Sequence, residues 1–281
     1  MVAKRISYCA QMLRQQDPDR YLTALFAPAE RRESLIALYA FNLEVARVRE
    51  SVREPFMGQM RLQWWRDSLA ELRSGIVRSH EVLKPLAAAI DAHHLDIRLF
   101  DRLLDARERD MDSSPPADMA ELQRYAEGTS STLVELALEI LGQPSPAVRE
   151  TGRNLGIAWA LVGLLRAIPF HAAQRRIYLP QSLATEVGLD PDRFFEQSGS
   201  PALKTAVQAV AQEARRWLAE ARQRRGQVPR QFQPALLLAP LAEGHLHRLA
   251  AAGYDPFDPR VQQPPPGRIW SLALRRALGG Y

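Results

Sequence analysis

The sequence predicts an all-α protein. Apolar residues recur with a helical period along nearly the whole chain, and no stretch shows the sustained period-two alternation that a half-buried strand requires. Punctuation agrees: prolines and small polar residues open several periodic segments, and glycines close them. With 46% apolar and 25% charged residues over 281 positions, the chain has enough apolar material for a large core and a soluble surface.

Taken in order, residues 1–19 read as an extension ahead of the patterned chain. The stretch MVAKRISYCAQMLRQQDPDRY lacks the apolar core of a secretory signal and meets acidic residues too early for a transit peptide. RRESLIALYAFNLEVARVRESV then sets Leu35, Leu38, Tyr39, Leu43, Val45 and Val48 on a broad helical stripe. GQMRLQWWRDSLAEL repeats the pattern with Met60, Trp64, Leu69 and Leu72; adjacent Trp64 and Trp65 cannot share a face, so one belongs to the core and the other is free to line a cavity. DRLLDARERDMD carries Asp101, Asp105, Glu108 and Asp112 interleaved with Arg102, Arg107 and Arg109, the pattern of a solvated, salt-bridged helix. ADMAELQRYAEGTSSTLVELALEILG reads as one long helix stopped at Gly142. SPAVRETGRNLGIAWALVGLLRAI follows, with Ser145 and Pro146 fitting the N-cap and the first helical position. The helix from Ala202 to Arg225 places Val207, Val210, Ala214, Trp217 and Ala221 on one stripe, with a cluster of arginines towards its end. That end suits either a core helix complementing its dipole or peripheral contact with an anionic membrane. Two further apolar segments surround a proline-rich loop at 255–267, too near the end to divide domains. The expectation is one domain over 1–281, with about ten helices.

Charge and cysteine content exclude several functional classes. The net charge is +5 and the pI about 9.6, with lysine only at positions 4, 84 and 204. No nucleic-acid motif accompanies this excess, and no nucleic-acid partner is expected. Cys9 is the only cysteine, so an intrachain disulfide and a cysteine-rich zinc site are excluded. The longest uncharged runs, such as Asn154 to Leu165, are about a dozen residues, against roughly 20 for a bilayer span. The expected location is the cytoplasm, with at most peripheral contact with a membrane.

The stretch LLRAIPFHAAQRRIYLP, residues 164–180, carries three arginines and a histidine but no carboxylate. Together with RYLTALFAPAERRESLIALYAF, RLQWWRDSL, YAEGTSSTL and GIAWALVGLLRA, in that order, it closely resembles the squalene/phytoene synthase family of head-to-head prenyltransferases over roughly residues 20–275. The resemblance implies the isoprenoid synthase fold, all-helical around a central cavity. In that family two acidic motifs on facing helices hold magnesium ions, which bind the diphosphates of the substrates. Carboxylates one helical turn apart share a face, and two such faces can hold hard cations through oxygen and make a diphosphate a leaving group.

On this resemblance the first motif falls on Leu43, Ala46, Arg47 and Glu50, and Glu50 is its only surviving acid. The second falls on Gly163, Ala167, Phe170 and His171, with no acid left. The framework around them remains: Tyr39, Trp64, Trp65, Gly128, Arg166, Arg176, Tyr178 and Pro180. The same pattern of lost acids resembles the branch of the family typified by the mitochondrial complex I assembly factor. This implies a catalytically inactive protein without metal or other cofactor, acting with complex I subunits or assembly intermediates, and leaves open a prenyl lipid in the old cavity. The alternative is a prenyltransferase with an atypical site, which would need magnesium.

The remaining candidates keep two readings each. Arg166, Arg175, Arg176 and Tyr178 suit an anion or an acidic partner; the arginines equally suit helix-end carbonyls and solvent. Arg166, inside the helix, is expected to be structural, whereas Arg175 and Arg176 lie in a loop within a partner's reach. His171 is expected to be a hydrogen-bonded helix-end histidine rather than a metal ligand, and Glu50 to pair with Arg47 or Arg53. Cys9, Asp67 with Glu71, and the adjacent His93 and His94 suggest no site.

Overall fold

The computed structural model describes residues 6–264, 267–277 and Tyr281; residues 265 and 266, within the predicted proline-rich loop, lie outside the described residues. Among the described residues there is helix and no strand. The first half of the chain comprises α1 (Tyr8–Gln16), α2 (Pro18–Leu25), α3 (Ala29–Ala46), α4 (Pro55–Glu71), α5 (Leu83–His93), α6 (Ile97–Glu108), α7 (Met119–Ala126) and α8 (Thr132–Leu141). The second comprises α9 (Pro146–Arg166), α10 (Ile168–Ala173), α11 (Gln181–Glu186), α12 (Pro191–Phe195), α13 (Pro201–Gln223), α14 (Gln233–Leu236), α15 (Leu238–Ala251), α16 (Pro259–Gln262) and α17 (Arg268–Ala277). The expectation of about ten falls short because α10, α11, α12, α14 and α16 have six residues or fewer, too few for a periodicity to register.

Local chemistry sets the long elements. Ser145 accepts from the Val148 amide at 3.4 Å with Pro146 behind it, and Ser200 accepts from Leu203 at 3.1 Å ahead of Pro201. Both satisfy amide donors that a helix start leaves free. Gly142 closes α8 at φ +151, open to glycine and strained for other residues. The segment read as one helix from Asp118 to Gly142 is continuous, but its middle, Glu127–Ser131, is a π-helical turn. Here two glycines allow unusually close packing. A Cβ on Gly128 would meet Ala106 Cβ at 2.6 Å, and one on Gly156 would meet the Ser131 Cα at 2.3 Å.

Buried side chains form one continuous cluster from Cys9 on α1 to Leu272 on α17. Helix α9 runs through it, covered by α8, α13 and α15. Helix α3 buries Leu35 through Asn42 without interruption, so it is apolar on all sides rather than along the expected stripe. The stripe of α13 is also interior: Val207, Val210, Ala214 and Ala221 are buried, and α9 covers the helix. Of the arginines towards its end, Arg216, Arg222 and Arg224 pair with acids of the chain, on Glu213, Glu243 and Glu150. The apolar stripe of this helix is therefore core, as the first of the two readings expects. No helix among the described residues is long and apolar enough to cross a membrane.

Candidate functional site

The C-terminal end of α3 and the junction of α9 with α10 face one another across a cavity of about 170 Å³. Ala46 and Glu50 line one side, and Ala167, Phe170 and His171 the other. Gly163 sits a turn earlier on α9 with open space in front of it, since a Cβ there would meet nothing within 4 Å. The residues at the two motif positions are thus brought together. Leu43 and Arg47 are the exceptions: they face a different cavity, between α1, α3 and α4.

The chemistry of this cavity comes largely from residues that sequence reading assigned elsewhere. Asp110 is buried; its Oδ1 accepts from the hydroxyls of Tyr125 at 2.7 Å and Tyr178 at 3.0 Å, and its Oδ2 from Arg107 at 3.3 Å. Arg107 also donates to the Tyr125 hydroxyl at 2.9 Å. Burial raises both tyrosine pKa values, so both hydroxyls stay protonated as donors. Arg107 continues the buried face of α6 set by Phe100, Leu103 and Leu104, and Asp110 follows on that face in the 3-10 turn Arg109–Met111. The neighbouring acids behave as expected: Asp105 and Glu108 pair with Arg66, and Asp112 with Arg109.

The four candidate contact residues separate. Arg166 donates to the buried carboxylate of Asp19 at 3.3 Å, joined by Arg268 at 2.7 Å and His245 at 3.3 Å. Burial alone would raise the Asp19 pKa, but the hydrogen bond from His245 and the charge of the two arginines hold it below the usual carboxylate value. Arg176 lies inside, 9% exposed, donating to the carbonyl of Asp112 and stacked 5.3 Å from the Tyr178 ring centre. The expectation that it lies in an accessible loop is corrected. Arg175 takes a left-handed turn at φ +53, and the next side chain turns into the cavity. Arg175 itself is exposed, with Asp192 at 3.8 Å and the Phe195 ring beneath it.

His171 also differs from expectation. It packs on Tyr178 with ring centres 4.5 Å apart, and its Nδ1 is buried with no hydrogen-bond partner. Burial, reinforced by the charge of Arg176, lowers its pKa to about 4, so it is a neutral ring at pH 7. Glu50 pairs with Arg47 at 3.3 Å, one of the two partners expected.

Magnesium does not fit this set. Both oxygens of Asp110 are occupied by internal donors, Glu50 is held by Arg47, and Ala46, Ala167 and His171 offer no carboxylate. Among the described residues no three His, Cys, Asp or Glu side chains converge as metal ligands. The cationic groups on the cavity wall are Arg49, Arg107 and Arg176. Deeper, between Leu122, Leu164, Ile168 and Val210, the free space is about 10 Å³, enough for at most one water molecule.

Comparison with known proteins agrees with this architecture. The family model for squalene/phytoene synthase matches residues 13–268. The complex I assembly factor 6 of Rattus norvegicus is 33% identical over 256 residues, covering 91% of this chain and 77% of that protein. The Homo sapiens protein of the same name is 32% identical over the same shares. A crystal structure of a dehydrosqualene synthase with ligand superposes with a TM-score of 0.84 at 20% identity, covering 96% of this chain and 94% of that one. With the family model spanning nearly the whole chain and the isoprenoid synthase architecture in place, this chain belongs to the squalene/phytoene synthase family.

Proposed function

We propose that the chain is a non-catalytic member of its family that acts in the assembly of respiratory complex I. One observation carries the loss of catalysis: across the cavity where the two motif regions meet, every carboxylate oxygen of Asp110 already has an internal donor, and Glu50 is held by Arg47. Ionisation of an allylic diphosphate needs cations at the leaving group, and this wall has no free oxygen cluster to hold them. The assembly role is supported by relatives named as complex I assembly factors, matched over 91% of the chain. The partners are then complex I subunits or assembly intermediates, met at the membrane surface: the cytoplasmic face in a bacterium, the matrix face in a mitochondrion. A prenyl lipid is not part of this reading at the second motif, where the deep space takes no more than a water molecule.

Two measurements test the proposal. Deletion of the gene should lower NADH:ubiquinone oxidoreductase activity in membranes and the amount of assembled complex, both restored by the wild-type chain. Incubation with farnesyl or geranylgeranyl diphosphate and magnesium should give no condensed product. Product above a no-protein control would instead establish a prenyltransferase with an atypical site. Unaltered complex I in the deletion would remove the assembly role.

A further inference from the structure

A larger cavity, about 580 Å³, opens between α1, the end of α3, α4 and the loop before α5. It shares only Glu50 with the cavity between the two motifs. Its size falls in the range of small-molecule sites, and it combines an apolar wall with a few convergent polar groups. Trp65, buried, and Trp64, half-buried, pack edge-to-face at 5.1 Å between ring centres, with His80 5.3 Å from Trp65 and 5.2 Å from Trp64. His80 is fixed in tautomer: Nδ1 accepts from the amides of Val82 at 3.2 Å and Leu83 at 3.4 Å, which leaves the proton on Nε2. That nitrogen points towards Glu44 at 3.5 Å.

We propose that this cavity binds a neutral planar carbonyl compound, a quinone-type ring, against Trp64 and Trp65 with its oxygens turned to His80 and Glu44. Charge decides the class. The Glu44 carboxyl inside the cavity opposes an anion. Arg47 and Arg61 at the mouth oppose a cation, and both are already engaged, Arg47 with Glu50 and Gln16 and Arg61 with Ser51. What remains suits an uncharged aromatic ring that accepts hydrogen bonds. Burial raises the Glu44 pKa to about 7, so in mild acid it supplies a second donor beside His80. On the same face of α4, Met60 and Met57 lie one and two turns before Trp64 and are more than half exposed. They extend the apolar wall outwards, where an aliphatic tail on the ring would lie.

The test is equilibrium dialysis of the full chain against a benzoquinone bearing one isoprene unit, compared with a prenylated benzene lacking oxygens. The quinone should bind about tenfold more tightly, the equivalent of one hydrogen bond of about 1.4 kcal/mol. Leu43→Trp, which fills the cavity, should abolish binding. His80→Asn keeps an acceptor for the α5 amides but loses the inward donor, and should weaken binding about tenfold. The groups around Glu44 are Arg47 and Glu50 on its own side, Arg61 on α4, His80, and Cys9 on α1, whose thiol burial holds at about 11. Quinone affinity should therefore fall from pH 6 to 8 as Glu44 ionises, and Glu44→Gln should remove that fall. Thermal melting of each variant confirms folding. Absence of quinone binding, equal binding of the oxygen-free ring, or full binding by a folded Leu43→Trp variant would overturn the proposal. Such a failure would leave the assembly reading intact, because that rests on the deletion.

Discussion

Substitution of Asp19 by alanine should be among the most damaging single changes in this protein. Asp19 is 3% exposed on α2 and accepts from Arg268 of α17, Arg166 of α9 and His245 of α15, at 2.7, 3.3 and 3.3 Å. One carboxylate therefore ties four helices together. Removing it strands the buried His245 donor and two guanidinium groups that are only 34% and 24% exposed. Breaking a buried ion pair by deleting one partner costs about 3–5 kcal/mol. The partial solvent access of the arginines places this case near the lower end, about 3 kcal/mol. For a chain of this size that corresponds to a fall of roughly 6–10 °C in melting temperature. The assay is urea and thermal unfolding followed by circular dichroism at pH 7. The pH dependence separates charge from shape. A carboxylate held below its unfolded value near 4 stabilises fully above that value and loses its effect as pH falls through the folded one. The deficit of Asp19→Ala should therefore shrink in acid. A deficit under about 1 kcal/mol, or one unchanged between pH 7 and 3, would refute the claim that this charge holds the helices together.

Three further outcomes are expected. His171, with its pKa depressed to about 4 by burial and Arg176, costs stability as pH falls from 6.5 towards 4, up to about 3 kcal/mol; His171→Gln should reduce that slope, leaving the parts due to His80, His93 and His245, and an unchanged slope would count against it. Restoring acids with Ala46→Asp, Ala167→Asp and His171→Asp should still give no condensed prenyl product, because Arg107 and Arg176 lie ready to pair with the new carboxylates and Leu43 and Gly163 stay altered; robust turnover in an extraction assay would contradict this. Arg175→Ala should change stability by less than about 0.5 kcal/mol, whereas Arg176→Ala, losing a buried hydrogen bond and a stacked ring, should cost about 1–3 kcal/mol; if Arg175 meets an acidic partner, Arg175→Glu should impair rescue of complex I activity with an unchanged melting curve.

The long helices were legible because their periodicity and caps are local: Ser145 with Pro146, and Pro201 at the start of α13, act within one turn of chain. The positions of the two motifs were legible through their resemblance to a family, and the fold does bring Ala46 and Glu50 opposite Ala167 and His171. The polar lining was not. Arg107 and Asp110 belong to a run whose neighbours are solvated, yet they continue the buried stripe of Phe100, Leu103 and Leu104. Charged side chains at such stripe positions carry no mark of their burial. Arg176 was misplaced for a similar reason, since a left-handed turn at a non-glycine residue carries no strong sequence mark. Asp19 was invisible because its partners lie 147 to 249 positions later. A cluster gathered from four distant helices leaves no spacing to read.

The contact between Gly156 and Ser131, where a methyl group would sit 2.3 Å from backbone, bears on how proteins of this kind are sorted from genome sequences. It is a demand of assembly, not of reactivity: α9 reaches its place beside the π-helical turn only while position 156 carries no side chain. A sequence altered at the cavity remains under that demand, so the pairing of YAEGTSS with Gly156 reports the fold and not the reaction. Profiles dominated by such positions therefore count silent and active members alike. Distinguishing them depends on a few sites facing the cavity, which steric fit leaves free to vary: 46, 163, 167 and 171 in this chain.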